Sequence, residues 1–318
     1  MQQFKSLQEV ALYFNTEDKS RTFLEKMRWP DGRIICPICG VRDAYRNGDC
    51  KTYKCRDKHC KTNFSVTVGT MFEGTKLPLS KWFMAMYLIS AHRKGISSCQ
   101  LARDLNIGQK AAWFVNHRIR KMLTDNSGSF LSGIVEADET YVGGKLANMN
   151  KTKRKKVAES GKDNKVPVMG MVERNGKAKM QVIGRKSFKT IIHENVKKEA
   201  ILVTDSHLGY QGLHTEYAQH EAVNHSILEF KRGIYYTNSV EGFFSTFKRM
   251  VIGTYHQLSP KHLQRYCEEA TFRFNTRKIK DGERFLSCFD NIQGRLTYKE
   301  LIGEGREPNY THIEFING

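Results

Sequence analysis

Apolar and polar positions recur with a helical period over the first 30 residues, and Thr16 or Ser20 is placed to cap a helix carrying Phe23, Leu24 and Met27. Two short helices are expected there. Residues 31–72 break the rhythm, because Gly32, Pro37, Gly40 and Gly48 punctuate short β-like runs such as Asn63 to Val68. Helical spacing returns at Ser80, which can cap a helix bearing Trp82, Phe83, Met86, Tyr87 and Leu88 that Gly95 can end. Ser97 or Ser98 opens a short helix through Leu101, Ala102 and Leu105, and a turn at Asn106-Ile107-Gly108 leads to a longer one from about Gln109 to Leu123. Asn126-Ser127-Gly128-Ser129 reads as a linker.

Beyond it the pattern alternates, with strands expected near 133–142, 166–173, 178–184, 200–205 and at Ala222-Val223-Asn224, and a helix near 188–199. Helices then take over near 238–250, 260–279 and 283–291. The fold class is therefore mixed α/β, divided into N-terminal helices (1–30), a cysteine-bearing module (31–74), a helical region (78–125), an α/β domain (131–292) and a tail (293–318). Residues 145–165 interrupt the α/β domain with eight Lys and Arg against Glu159 and Asp163, a composition that predicts a mobile loop. Its Lys153, Arg154, Lys155 and Lys156 could meet phosphates without reading sequence, although a solvated loop that touches nothing is the competing reading.

Charge narrows the partners. Fifty-two Lys and Arg against 33 Asp and Glu give +19 at pH 7, an imbalance that points to a polyanion. No stretch approaches the roughly 18 apolar residues of a spanning helix, and the first residues lack the pattern of a secretory signal. A cytoplasmic protein without a membrane partner is expected, with nucleic acid as the polyanion.

In such a compartment eight cysteines suggest metal rather than disulfides. Cys36-Pro37-Ile38-Cys39 has the two-residue gap that aims two thiolates at one tetrahedral ion, and Cys55 and Cys60 follow after 15 intervening residues as a second pair. One structural zinc ion is expected, with Cys50 or His59 as possible replacements in the second pair. Downstream, Ser98, Leu101, Ala102, Leu105 and Ile107 followed by Ala111-Ala112 have helix-turn-helix spacing, with a glycine in the turn. Lys110, Arg118 and Lys121 fall away from the apolar face of the second helix and are its candidate DNA contacts.

Two carboxylates close apolar runs: Asp138 follows Ile134-Val135-Glu136-Ala137, and Asp205 follows Ile201-Leu202-Val203-Thr204. Glu241 sits 36 positions beyond Asp205 in an amphipathic stretch that starts at Asn238. Three such acids would repel one another and suit hard divalent cations, two of which about 4 Å apart can support displacement at phosphorus. On a helix Asn238 and Glu241 share a face to which Lys248 returns, so the third oxygen ligand is Glu241 or, alternatively, Asn238 with Glu241 pairing Lys248. Arg249 adds a further cation for DNA.

The order of these modules, with Asp138 to Lys145, Thr204-Asp205, Asn238 to Arg249, Gly253-Thr254-Tyr255-His256, His262 to Tyr266 and Phe272 to Arg277, resembles the zinc-ribbon DDE transposases of prokaryotic insertion sequences. The resemblance runs from about residue 15 to 280. It implies a ribonuclease H-like fold for 131–292, magnesium (or manganese) held by Asp138, Asp205 and Glu241, Lys248 near the DNA, and at least a homodimer to pair two ends. The activity it implies is binding of terminal inverted repeats in double-stranded DNA, in association with the nucleoid, followed by cleavage and strand transfer of DNA 3′ ends. A DNA-binding regulator that has lost catalysis and a structure-specific nuclease are the alternatives.

Overall fold

The computed structural model describes residues 3–144, 146–160, 165–223 and 232–303, in two compact units. The first contains residues 1–123 and 279–305, and the second 124–278. The α/β region therefore closes at Lys278, where the sequence divides it at 292. Aromatic packing is the reason: Phe285 and Phe289, in and just after the helix Asp281–Ser287, join Phe4, Phe14, Phe23 and Phe83 in one buried cluster of the first unit. At the start of the expected tail, the short helix Tyr298–Ile302 packs Tyr298 against Trp113 and Phe114. The tail's residues beyond 303 lie outside the described set.

In the first unit, α1 (Leu7–Tyr13) and α2 (Glu17–Arg28) are capped by Ser6 and Thr16. A small antiparallel sheet follows, β1 (Tyr45–Arg46), β2 (Thr52–Lys54) and β3 (Asn63–Ser65). The next helix, α3 (Leu79–Ala91), starts before Ser80 because the cap comes from elsewhere: the Glu17 carboxylate accepts the Leu79 N–H at 3.0 and 3.2 Å. Helices α4 (Ser98–Leu105) and α5 (Gln109–Met122) follow, and the left-handed residue between them is Asn106 (φ 48°), with Gly108 serving as the N-cap of α5.

The second unit is built on a five-stranded sheet. Its elements are β4 (Ile134–Val142), α6 (Lys151–Ser160), β5 (Val166–Glu173), β6 (Ala178–Val182), α7 (Phe188–Asn195), β7 (Ile201–Asp205), β8 (Gln219–Val223), α8 (Asn238–Met250) and α9 (Leu263–Asn275). The expected strand residue Asn224 lies outside the described residues. The order β6-β5-β4-β7-β8, antiparallel over the first three strands and parallel over the last three, is the ribonuclease H-like arrangement. One face buries Val135, Ala137, Met169, Met171 and Leu202 with Ile191 and Ile192 of α7. The other buries Val168, Val172 and Met180 with Phe243, Phe244 and Phe247 of α8 and Cys267 of α9. Central β4 is thus covered on both sides, and Asp138, which closes its apolar run, lies inside the strand and not at its end, because pairing with β5 carries β4 on to Val142.

The lysine-rich insertion is not the loop its composition predicts. Residues 151–160 form a helix, because Lys, Arg, Ala and Glu are good helix formers and Lys155 and Glu159 stand at i,i+4, 3.8 Å apart. Arg154 donates to the carbonyls of Ala147 and Met149 in the preceding turn.

Candidate metal centres and nucleic-acid surface

Both knuckles of the cysteine module are fixed by turns. Gly40, at φ 76°, returns its N–H to the Cys36 carbonyl, so that Cys36 and Cys39 face the same way. The wider second knuckle is filled by Asp57, whose Oδ1 accepts the N–H groups of His59 and Cys60 at 2.8 Å, while Lys61 takes the left-handed conformation at φ 42°. The four Sγ atoms lie within 4.8 Å of one another, with Cys39 and Cys55 3.4 Å apart and Cys36 and Cys60 3.9 Å apart. A tetrahedron of thiolates on zinc has an edge of about 3.8 Å, so the donor set fits a closed structural zinc site. Cys50 and His59, the sequence alternatives, are both exposed and outside this group. The Cys60 thiol is pulled down to about 7, chiefly by its hydrogen bonding with the side chain and backbone of Thr62.

The helix-turn-helix surface departs from expectation at Arg118. This side chain is buried, donating to the carbonyls of Leu296 at 2.9 Å and Met71 at 2.9 Å, so it ties α5 to its own unit and is withdrawn from phosphate. His117 and Arg120 are buried as well. Lys110 and Lys121 are exposed, Lys110 over the Tyr298 ring and Lys121 near the Arg295 carbonyl. The open part of α5 is therefore its first turn, Gln109 to Ala111, with Lys121 at the far end.

In the second unit, strand register brings the acids together. Glu136 pairs with Val203 in the parallel ladder between β4 and β7, and Asp138 and Asp205 each lie two residues further on. The period of two keeps both on the side of that pair. Asp138, Asp205 and Glu139 each offer a carboxylate oxygen to a group whose atoms all fall within 4.8 Å. Glu139, rather than Glu241, is the third member of this close group, held by the buried Tyr210 hydroxyl at 2.8 Å.

Glu241 stands on the first turn of α8 and accepts the Thr237 hydroxyl at 2.9 Å. Its charge nonetheless reaches Asp138, whose carboxyl is pushed up to about 7 by burial first and then by Glu139, Asp205 and Glu241. Burial and Asp205 also raise the Glu139 carboxyl. An all-oxygen set of mutually repelling acids is the donor chemistry of magnesium or manganese. Asn238, Lys248 and Arg249 are exposed on the same helix. The basic helix α6 presents Arg154 and Lys155 to solvent, and the side chains of Lys153 and Lys156 lie outside the described set.

How closely α8 approaches the acids depends on Gly170, the ladder partner of Asp138 on β5. A Cβ there would stand 2.5 Å from the Phe244 ring and 3.1 Å from Val240, so only glycine lets the helix lie this near. Sequence reading missed Gly170, Glu139, Tyr210, Glu136 and Arg174. For Glu136 a signal existed: a lone charge inside an apolar run, on the same strand face as Asp138.

The protein thus combines a ribonuclease H-like mixed sheet, with paired acids on neighbouring strands, and a four-cysteine ribbon. Residues 130–275 match the ISXO2-like transposase domain, and residues 15–63 match the transposase zinc-ribbon domain. The chain belongs to the zinc-ribbon DDE transposases of insertion sequences. It is 26% identical over 252 residues, 74% of this chain and 83% of the relative, to a Halobacterium salinarum protein described as an uncharacterized protein in transposable element ISH50. No solved structure matches the chain. Among the described residues no helix is long and apolar enough to cross a membrane.

Proposed function

We propose that this protein binds the terminal inverted repeats of its element through the ribbon and the helix-turn-helix, and cuts and joins DNA 3′ ends at the carboxylate group of the second unit. The observation that carries this reading is the convergence of Asp138 and Asp205 from adjacent parallel strands. Asp138, Asp205 and Glu241 would hold two magnesium ions, for which manganese could substitute, and Glu139 is placed to serve as a further oxygen donor. When bound, such ions activate the attacking oxygen and stabilise the leaving one. The protein's own part is to hold the acids on a rigid sheet, keep them partly dehydrated, and offer phosphate partners.

Those partners are Lys248 and Arg249 on α8, Arg154 and Lys155 on α6 with Lys153 and Lys156 in the same helix, and Lys110 and Lys121 on α5. Recognition helices read base edges with their first turn, and Gln109 to Ala111 is the open turn here. Pairing two ends requires at least two chains, working in the cytoplasm on nucleoid DNA.

The test is a labelled end duplex incubated with magnesium. Parent protein is expected to nick the 3′ end and transfer it to a second duplex, and Asp205→Ala to bind the end within about two-fold while losing both steps by about three orders of magnitude or more. Cleavage without transfer would mark a nuclease. Binding without cleavage by the parent would mark a regulator.

A further inference from the structure

Two residues before Asp138, Glu136 is fully buried, a place where an unpaired carboxylate would be very costly. Its partners come from two other elements. Arg174, just beyond β5, donates Nε to Oε1 at 2.7 Å. From the start of α8, Ser239 donates its N–H to Oε2 at 2.7 Å and its hydroxyl to Oε1 at 2.9 Å, and the Val240 N–H reaches Oε2 at 3.2 Å. Thr237, the N-cap residue of α8, makes no side-chain cap of its own. The strand therefore caps the helix, with a carboxylate at the positive end of the helix dipole.

Arg174 extends the grip upstream. Its guanidinium donates to the carbonyls of Ile234 at 2.5 Å and Tyr236 at 3.0 Å and lies 3.7 Å from the centre of the Tyr236 ring. The approach to α8 and its first turn are thus tied, through one ion pair, to the strand position adjacent on the same face to Asp138. That turn carries Asn238 and Glu241.

We infer that Glu136, with Arg174 and Ser239, is a positioning group that sets the distance between the first turn of α8 and the Asp138–Asp205 pair, and so tunes cation affinity without touching the cation. This inference rests on the metal reading of the carboxylate group. Partners behind metal ligands typically change affinity by about 10- to 100-fold when removed. Glu136→Gln keeps the shape and one acceptor oxygen but loses the ion pair and puts an amide donor against the N–H groups of α8.

Manganese binding, measured by calorimetry on the full zinc-loaded chain, and the magnesium dependence of end cleavage supply the test. For Glu136→Gln we expect manganese affinity about ten-fold weaker and a cleavage midpoint shifted to higher magnesium, with rate recovered at saturation and end binding unchanged. Ser239→Ala, which removes one contact and preserves the ion pair, is expected to shift both by a few-fold, and it decides the matter should Glu136→Gln fail to fold. Unshifted manganese affinity and magnesium midpoint in the folded variants would overturn the positioning role. If instead the parent binds no manganese, or Asp205→Ala binds it as the parent does, the metal reading itself fails.

Discussion

The two candidate metal centres are built on opposite plans. The thiolate group stands on strands of two or three residues with a small core of Trp29, Tyr53 and Phe64, whereas the carboxylate group stands on a five-stranded sheet with packed cores on both faces. Four mutually close thiols leave no position open, which suits an ion that holds a fold together. Asp138 lies inside β4 and Asp205 ends β7, on a sheet that apolar burial already holds. Metal should therefore be a folding partner in the ribbon and a reaction partner on the sheet.

Zinc removal is the most severe way to break this contrast. Structural zinc contributes on the order of 10 kcal/mol to such modules, so Cys39→Ser is expected to lose amide protection across residues 36–64 in hydrogen exchange while β4, β5 and β7 stay protected. Collapse of both regions together would erase the distinction. The reciprocal change, Asp205→Ala, should leave one zinc per chain by elemental analysis while abolishing cleavage as described above.

Arg118 sharpens the contrast within the first unit. Arg118→Ala removes two hydrogen bonds made by a buried cation and should cost about 2–3 kcal/mol in urea unfolding, whereas Lys110→Ala should leave stability unchanged and flatten the salt dependence of end binding by about one counterion. Equal stability of the two variants would return Arg118 to the DNA-contact surface.

Smaller effects should appear where Asp138 titrates. Because its folded-state value of about 7 lies above the ordinary aspartate range, the protonated form is favoured by folding, and stability without added divalent cation should fall as pH rises from about 4 through 7. Asp138→Asn should flatten that decline and melt several degrees higher than the parent at pH 8. A parent melting curve that stays level between pH 5 and pH 8 would contradict it. Gly170→Ala, which forces α8 outward against Phe244, is expected to cost about 1–3 kcal/mol through overpacking.

Much of the candidate site was legible in the chain, for identifiable reasons. The Cys-x2-Cys turn and the apolar β-forming runs that lead into Asp138 and Asp205 are local patterns, and local sterics and strand propensity act over a few residues. Glu17 capping α3 and Glu136 capping α8 were not legible, since each carboxylate works on a helix far away in the sequence. Nor was the burial of Arg118, whose carbonyl partners lie 47 and 178 positions away.

Sequence alone determined the strand and helix segments, the four-cysteine spacing and the basic excess, because propensity, periodicity and charge belong to the residues themselves. It erred on the insertion, where charge density argued for a loop and helix propensity with an i,i+4 pair prevailed. Tertiary structure decided which charges are buried, that Glu139 joins Asp138 and Asp205, and that helix 281–287 belongs with the first unit. Those outcomes depend on which strands become neighbours and which faces are covered, and sheet order and burial arise only when distant segments pack.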